Sequence, residues 1–188
     1  MKSRRERGFT LVEVIVVAGI IAILAGILVP LIISQIDQSR TTRAAADVRS
    51  ISNAMIIFRK DTGQWPNLVA GSTPCGTGVT LLVSGDGSIV PTTLPTGWST
   101  TNSTPFINYL STDTTGCYST PITTTQMWKG AYMGAITNDP WGNPYVTNAD
   151  AFNTGNPVWI LSAGPNGVYD TPATAGAPVG DDIGIRLQ

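Results

Sequence analysis

The sequence predicts an α+β protein in which one long N-terminal helix carries a small antiparallel β-sheet head. Three observations predict it. Residues 9–33 are apolar almost without interruption, and residues 34–60 lack Gly and Pro while repeating apolar positions at helical spacing. The final third then alternates turn signals with short apolar runs. The expected division is a basic leader at 1–8, an apolar helix at 9–33 and its amphipathic continuation at 34–62. A head follows at 63–188, with a loop-rich insert at 67–127 and a small sheet and terminal loop at 128–188.

The leader is short and basic. Four of the eleven Lys and Arg residues, Lys2, Arg4, Arg5 and Arg7, fall in the first seven positions. Without residues 1–8 the chain keeps seven positive against eleven negative side chains, and this acidic balance argues against a nucleic-acid surface. Histidine is absent, which removes the commonest general base and transition-metal ligand. No nucleophile–base pair, phosphate-binding glycine loop or Cys/His cluster is visible, so the chain is not expected to be an enzyme.

Phe9 to Ile33 is 25 residues, interrupted in polarity only by Thr10 and Glu13. At ~1.5 Å per residue this spans a ~30 Å hydrocarbon core, and the basic flank holds the N-terminus in the cytoplasm. An ordinary secretory signal would be shorter and end in a small-x-small site, whereas Pro30-Leu-Ile-Ile33 follows here. An uncleaved anchor is the other plain reading. Glu13 stands out, because a carboxylate in an apolar segment is costly unless it finds a partner or reaches the interface.

Beyond Ile33 the helix has no reason to stop. Ala44, Val48, Ile51, Met55 and Phe58 form one helical face, an ordinary core stripe, and Arg43 and Asp47 sit four apart on the polar side. Gly63 and Trp65-Pro66 end the helix. Residues 9–61 would make a helix on the order of 80 Å long. Pro30 should kink it, with Gly19 and Gly26 loosening it further.

In the head, Val79–Val83, a glycine-containing turn and Ile89-Val90 read as a hairpin. Cys75 and Cys117 are the only cysteines. On the oxidising side of a membrane they should pair, tying the loops together; two inert thiols in a reducing compartment are the alternative. Further on, Pro140 and Pro144 bracket a tight turn anchored by Trp141 and Tyr145. Trp128 and Trp141 could instead line a sugar-binding surface. Val158-Trp-Ile-Leu161 is a strand candidate, followed by Ser162-Ala-Gly-Pro-Asn-Gly167. Asp170, Asp181 and Asp182 lie downstream, and oxygen-rich loops of this kind suit a hard cation without matching the EF-hand spacing.

Arg-Gly-Phe-Thr-Leu-Val-Glu-Val at 7–14 resembles the processing site of type IV prepilins and type II secretion pseudopilins. Trp128–Tyr132 and Asp139-Pro-Trp-Gly-Asn-Pro-Tyr145 resemble a segment of the major pseudopilins. The likeness covers 4–66 and 128–188. It implies cleavage between Gly8 and Phe9 by a prepilin peptidase, N-methylation of Phe9, and helices packed side by side in a filament. There Glu13 of one subunit would pair with the Phe9 amine of a neighbour, each charge offsetting the burial of the other and fixing the stagger. The proline of such helices lies at a point corresponding to Pro30. The likeness also implies a calcium loop built from backbone carbonyls and two aspartates. Ala163 would give a carbonyl, Asn166 stands where the family usually has Asp, and Asp181 or Asp182 completes the site with Asp170 as an addition. No other cofactor is expected.

The expected function is that of a structural subunit of a pilin-like filament, driving type II protein secretion. Its partners would be itself as a helical homopolymer, the prepilin peptidase, an inner-membrane assembly platform, minor pseudopilins or pilins, and the lipid bilayer before assembly. Its place would be the inner membrane with the N-terminus in the cytoplasm, then a periplasmic or cell-surface filament. A surface pilin for adhesion, motility or DNA uptake is the alternative, and a membrane-anchored monomeric binding module the third reading.

Overall fold

A computed structural model describes residues 8–69, 75–119 and 126–188; the basic leader residues 1–7 lie outside them. Helix α1 runs over Leu11–Thr62, one or two residues from the expected ends. It stays helical through Pro30. Gly63 ends it in the left-handed conformation (φ 74°), its N–H reaching the Arg59 carbonyl at 2.8 Å. A glycine adopts this terminating geometry without a Cβ penalty.

Two compact units divide the chain, Met1–Ser39 and Arg40–Gln188. In the first, the large apolar side chains of α1 are exposed all round, from 75% at Leu11 to 47% at Ile36. By length and composition α1 is the one helix among the described residues able to cross a membrane.

In the second unit the predicted stripe is the core. Ala44, Val48, Ile51, Met55 and Phe58 are all fully buried. Phe58 meets the edges of Tyr118 and Tyr132, with ring centroids at 4.7 and 5.5 Å. The Arg43–Asp47 pair forms at 3.7 Å, and Asp47 also accepts a hydrogen bond from the Tyr145 hydroxyl at 2.8 Å.

Strands β1 (Leu68–Val69) and β2 (Gly76–Thr77) pair antiparallel. The main sheet joins β3 (Leu81–Val83), β4 (Ser103–Pro105), β5 (Val146–Asn148), β6 (Trp159–Ser162) and β7 (Ile183–Arg186), with a short helix α2 (Ile107–Leu110) after β4. Its order is β4-β3-β5-β6-β7. The sheet corrects two expectations. It is mixed, because β3 and β4 run parallel with Leu82 opposite Thr104. The predicted 79–83/89–90 hairpin does not form: β3 has β4 on one side and β5 on the other. The turn after β3 closes locally, the Asp86 carboxylate accepting the Ser88 N–H at 2.9 Å, and Pro91 deprives the next segment of a ladder donor. The loop-rich stretch thus supplies two of the sheet's five strands.

Alternation along the strands divides the core. Leu82 and Ile160 join the α1 stripe, while Leu81, Val83, Val146, Trp159 and Leu161 form a second cluster with Ala163 and Tyr169. Val90, Leu94, Trp98 and Ala175 cover that second cluster. Cys75 and Cys117 are disulfide-bonded, with Cα atoms 5.8 Å apart. Beside the bridge the Tyr118 hydroxyl donates to the Trp65 carbonyl at 2.6 Å and accepts the amides of Asn67 and Leu68. Burial pushes the Tyr118 phenol above its ordinary range and that of Tyr109 up to about 12.

Candidate functional site

Two sets of residues carry chemistry, one at the start of α1 and one in the terminal loops. Gly8 and Phe9 lie on exposed, non-helical chain just ahead of Leu11, with Phe9 88% exposed. Thr10 follows as the helix cap. Its hydroxyl accepts the Glu13 N–H at 3.3 Å, while the Glu13 carboxylate accepts the Thr10 N–H at 3.1 Å and its hydroxyl at 3.0 Å. This is a reciprocal capping box, which satisfies donors that a helix start leaves unpaired. The sequence reading missed Thr10, although Thr-x-x-Glu before an apolar run is its signature.

The predicted cation loop is assembled by three anchors. First, the Asp139 side chain builds the Pro140–Pro144 turn, accepting the N–H groups of Trp141 at 3.1 Å and Asn143 at 2.8 Å. Its other oxygen takes the Ser162 hydroxyl at 2.6 Å, and Ser162 Oγ accepts the Gly164 amide at 3.2 Å. Trp141 is half-buried and Tyr145 fully buried, so this turn is packed as its aromatic residues suggested. Trp128 is also half-buried against the core, and its indole N–H donates to the Tyr109 carbonyl. The fit of both tryptophans is therefore that of packing, and the sugar-surface alternative gains no support from them.

Second, Gly164 (φ 65°) lies so close to the Asp181 carbonyl that a Cβ there would collide with backbone. Gly180 (φ 67°) brings the chain to Asp170 on the other side: a Cβ would meet its carboxylate at 2.6 Å. Both positions need glycine for conformation and for space.

Third, side chains knit the two loops. The Asn166 amide donates to Asp181 at 2.8 Å and its side-chain NH₂ to Asp170 at 3.2 Å. Asp182 accepts the amides of Asp170 and Thr171 at 2.9 and 2.7 Å and the Thr171 hydroxyl at 2.6 Å, all on Oδ2. The fold thus brings Ala163, Asn166, Asp170, Asp181 and Asp182 to one pair of loops. Thr171 was not foreseen, because a lone threonine ahead of Pro172 carries no local signal.

These residues fit a hard cation. Oδ1 of Asp181 and Oδ1 of Asp182 are both buried without a hydrogen-bond partner, and buried carboxylate oxygens are normally satisfied. Burial pushes the Asp182 carboxyl above its usual range, opposed by the Thr171 hydroxyl and the two amides. Among the described residues no three Asp, Glu, His or Cys side chains gather closely enough to hold a metal alone. A cation here would therefore draw on neutral oxygens too, as calcium sites commonly do.

Comparison with known proteins gives two family matches. Residues 3–29 match the family described as the prokaryotic N-terminal methylation motif. Residues 114–178 match the type II secretion system protein G family. The chain is 29% identical over 168 residues to the type II secretion system core protein G of Pseudomonas aeruginosa, covering 89% of each. It is 27% identical over 169 residues to the same-named protein of Escherichia coli, covering 89% of this chain and 87% of the relative. With that of Aeromonas hydrophila it shares 27% over 145 residues, covering 77% and 74%. No solved structure gives a significant match.

Proposed function

We propose that this chain, which joins a prepilin methylation motif to a type II secretion protein G domain, is the repeating subunit of a secretion pseudopilus. The observation that carries the reading is the start of α1. A Gly8–Phe9 bond on open chain leads into a helix whose large apolar side chains, Leu11 to Ile33, are all at least 49% exposed. Such a surface needs lipid first and neighbouring helices afterwards. One segment thereby serves as inner-membrane anchor and then as filament core.

In this reading the leader stays in the cytoplasm and the head lies in the periplasm. A prepilin peptidase cuts after Gly8, and Phe9 becomes the methylated first residue. The new amine lies four residues before Glu13, so the Glu13 carboxylate of an adjacent copy is its natural partner in an apolar environment. Pro30, which cannot donate to the helix ladder, is where α1 would yield when copies pack. The test is processing: co-expressed with a prepilin peptidase, the chain should lose residues 1–8 and gain the mass of one methyl group. Gly8→Val should block both, and an unprocessed wild-type chain in the presence of an active peptidase sinks the reading. The Cys75–Cys117 bridge would also suit an exposed surface fibre, but the protein G match over 114–178 favours secretion.

We further propose that calcium binds between the 163–170 and 180–182 loops. Asp181 and Asp182 would supply charge, Ala163 a carbonyl, and Asn166 and Asp170 further oxygens; the ion would neutralise carboxylates that burial otherwise disfavours. A raised Asp182 value means that its ionisation costs stability as pH climbs through the folded-state value, so calcium should help more at neutral than at acid pH. At a hundredfold excess over Kd, calcium should raise the melting temperature by roughly 5–10 °C and a chelator should reverse it. An unchanged melting temperature at millimolar calcium would remove the site.

A further inference from the structure

Residues 90–98 belong to neither the sheet nor the cation loops, yet they are fastened to both. Val90, Leu94 and Trp98 cover the cluster around Trp159, Leu161 and Tyr169. At the end of this strap the Trp98 indole N–H donates to the Thr171 carbonyl at 3.0 Å. The Thr96 carbonyl accepts the Ala173 amide at 3.1 Å. Between them Gly97 (φ 88°) passes so close that a Cβ would lie 2.8 Å from the Ala173 methyl. The strap therefore holds residues 171–173 by two hydrogen bonds and the close approach of Gly97 to the Ala173 methyl.

Thr171 is also the residue that grips Asp182. Its amide and hydroxyl both donate to Asp182 Oδ2, at 2.7 and 2.6 Å, while its hydroxyl accepts the Val179 amide at 2.9 Å. Asp182 Oδ1 is left buried and without a hydrogen-bond partner. Thr171 precedes Pro172, which already confines its backbone to extended conformations. Fixing its carbonyl as well leaves the residue little freedom, and its amide and hydroxyl are then aimed before any ligand arrives.

We infer that Trp98 is a positioning residue for the cation site: through the Thr171 carbonyl it sets the grip on Asp182 Oδ2 that leaves Asp182 Oδ1 free for a divalent cation. The identity of the ligand rests on the calcium reading above, whereas the relay from Trp98 to Asp182 does not. The strap comes from the loop-rich stretch of the sequence, so that stretch helps to build the site.

The test uses the full chain in detergent micelles, with calcium chloride titrated calorimetrically and amide hydrogen exchange followed without calcium. Trp98→Phe keeps an apolar ring and deletes the N–H. Loss of one neutral hydrogen bond should weaken calcium about fivefold and speed exchange at Asp170 and Thr171. Leu94→Ala loosens the strap without touching that bond; it should lower the melting temperature and leave Kd unchanged. An unaltered Kd and exchange rate in Trp98→Phe overturns the relay, as does a Leu94→Ala that weakens calcium equally. If Trp98→Phe melts without cooperativity, Thr171→Val tests the same relay at its hydroxyl, and an unchanged Kd overturns it. If the wild type takes up no calcium, the calcium reading falls. Exchange then decides alone: faster at Asp170 and Thr171 in Trp98→Phe than in Leu94→Ala supports the relay, and equal rates overturn it.

Discussion

Glu13→Ala should leave the subunit processed, membrane-inserted and folded, while filament yield falls by about tenfold or more. The expectation follows from where Glu13 sits. It is a lone carboxylate in the apolar start of α1, and among the described residues its hydrogen-bond partner is Thr10, three residues away. When helices pack, water leaves and a carboxylate without a counter-charge is strongly disfavoured. The amine created at Phe9 is the available positive group. Alanine alone cannot separate this from helix capping, because it also deletes the acceptor for the Thr10 N–H. Glu13→Gln makes the separation, since glutamine keeps the capping box but carries no charge. Filaments scored by electron microscopy, in cells with no other source of the subunit, should be lost in both variants. Normal filaments from Glu13→Gln would show that the capping box and not the charge is what assembly needs.

Some of this architecture is written locally and some is not. The stripe from Ala44 to Phe58 was legible because a helix converts spacing directly into a face, and all five residues are buried. Strand β6 was legible to within one residue because Trp-Ile-Leu is a compact apolar run. The disulfide was legible from its setting, since two cysteines in a head on the oxidising side of a membrane are expected to pair. Strand β4 was not: Ser103–Pro105 is polar, ends in proline, and becomes a strand only because β3, more than twenty residues earlier, offers a parallel edge. The sequence instead offers β3 a hairpin with Ile89-Val90, a short-range partner the fold does not use. The loops at 163–170 and 180–182 show both cases. Asn166, Asp170, Asp181 and Asp182 were recognisable as oxygen donors among glycines. Trp98 was not, because its bond to Thr171 spans 73 residues and nothing near Trp98 hints at it.

Asp139→Ala should be among the most damaging single substitutions in the head, costing about 3 kcal/mol or more and lowering the melting temperature by roughly 10 °C. Asp139 is only 5% exposed, and its carboxylate serves three donors: the amides of Trp141 and Asn143 and the Ser162 hydroxyl. Alanine would strand all three where water has little access, and a charge-assisted bond is stronger than a neutral one. Asp139→Asn should cost much less, because its side-chain oxygen still accepts both turn amides and its NH₂ can donate to Ser162 Oγ. The difference between the two variants isolates the turn's hydrogen bonds from its charge. The damage should also travel to the cation loop. Ser162 Oγ, once released from Asp139, no longer has a fixed direction in which to receive the Gly164 amide. Gly164 is the residue packed against the Asp181 carbonyl, so the calcium binding proposed for these loops should weaken in Asp139→Ala along with stability. Equal melting temperatures for the alanine and asparagine variants would show that the Pro140–Pro144 turn is held by Trp141 and Tyr145 packing instead.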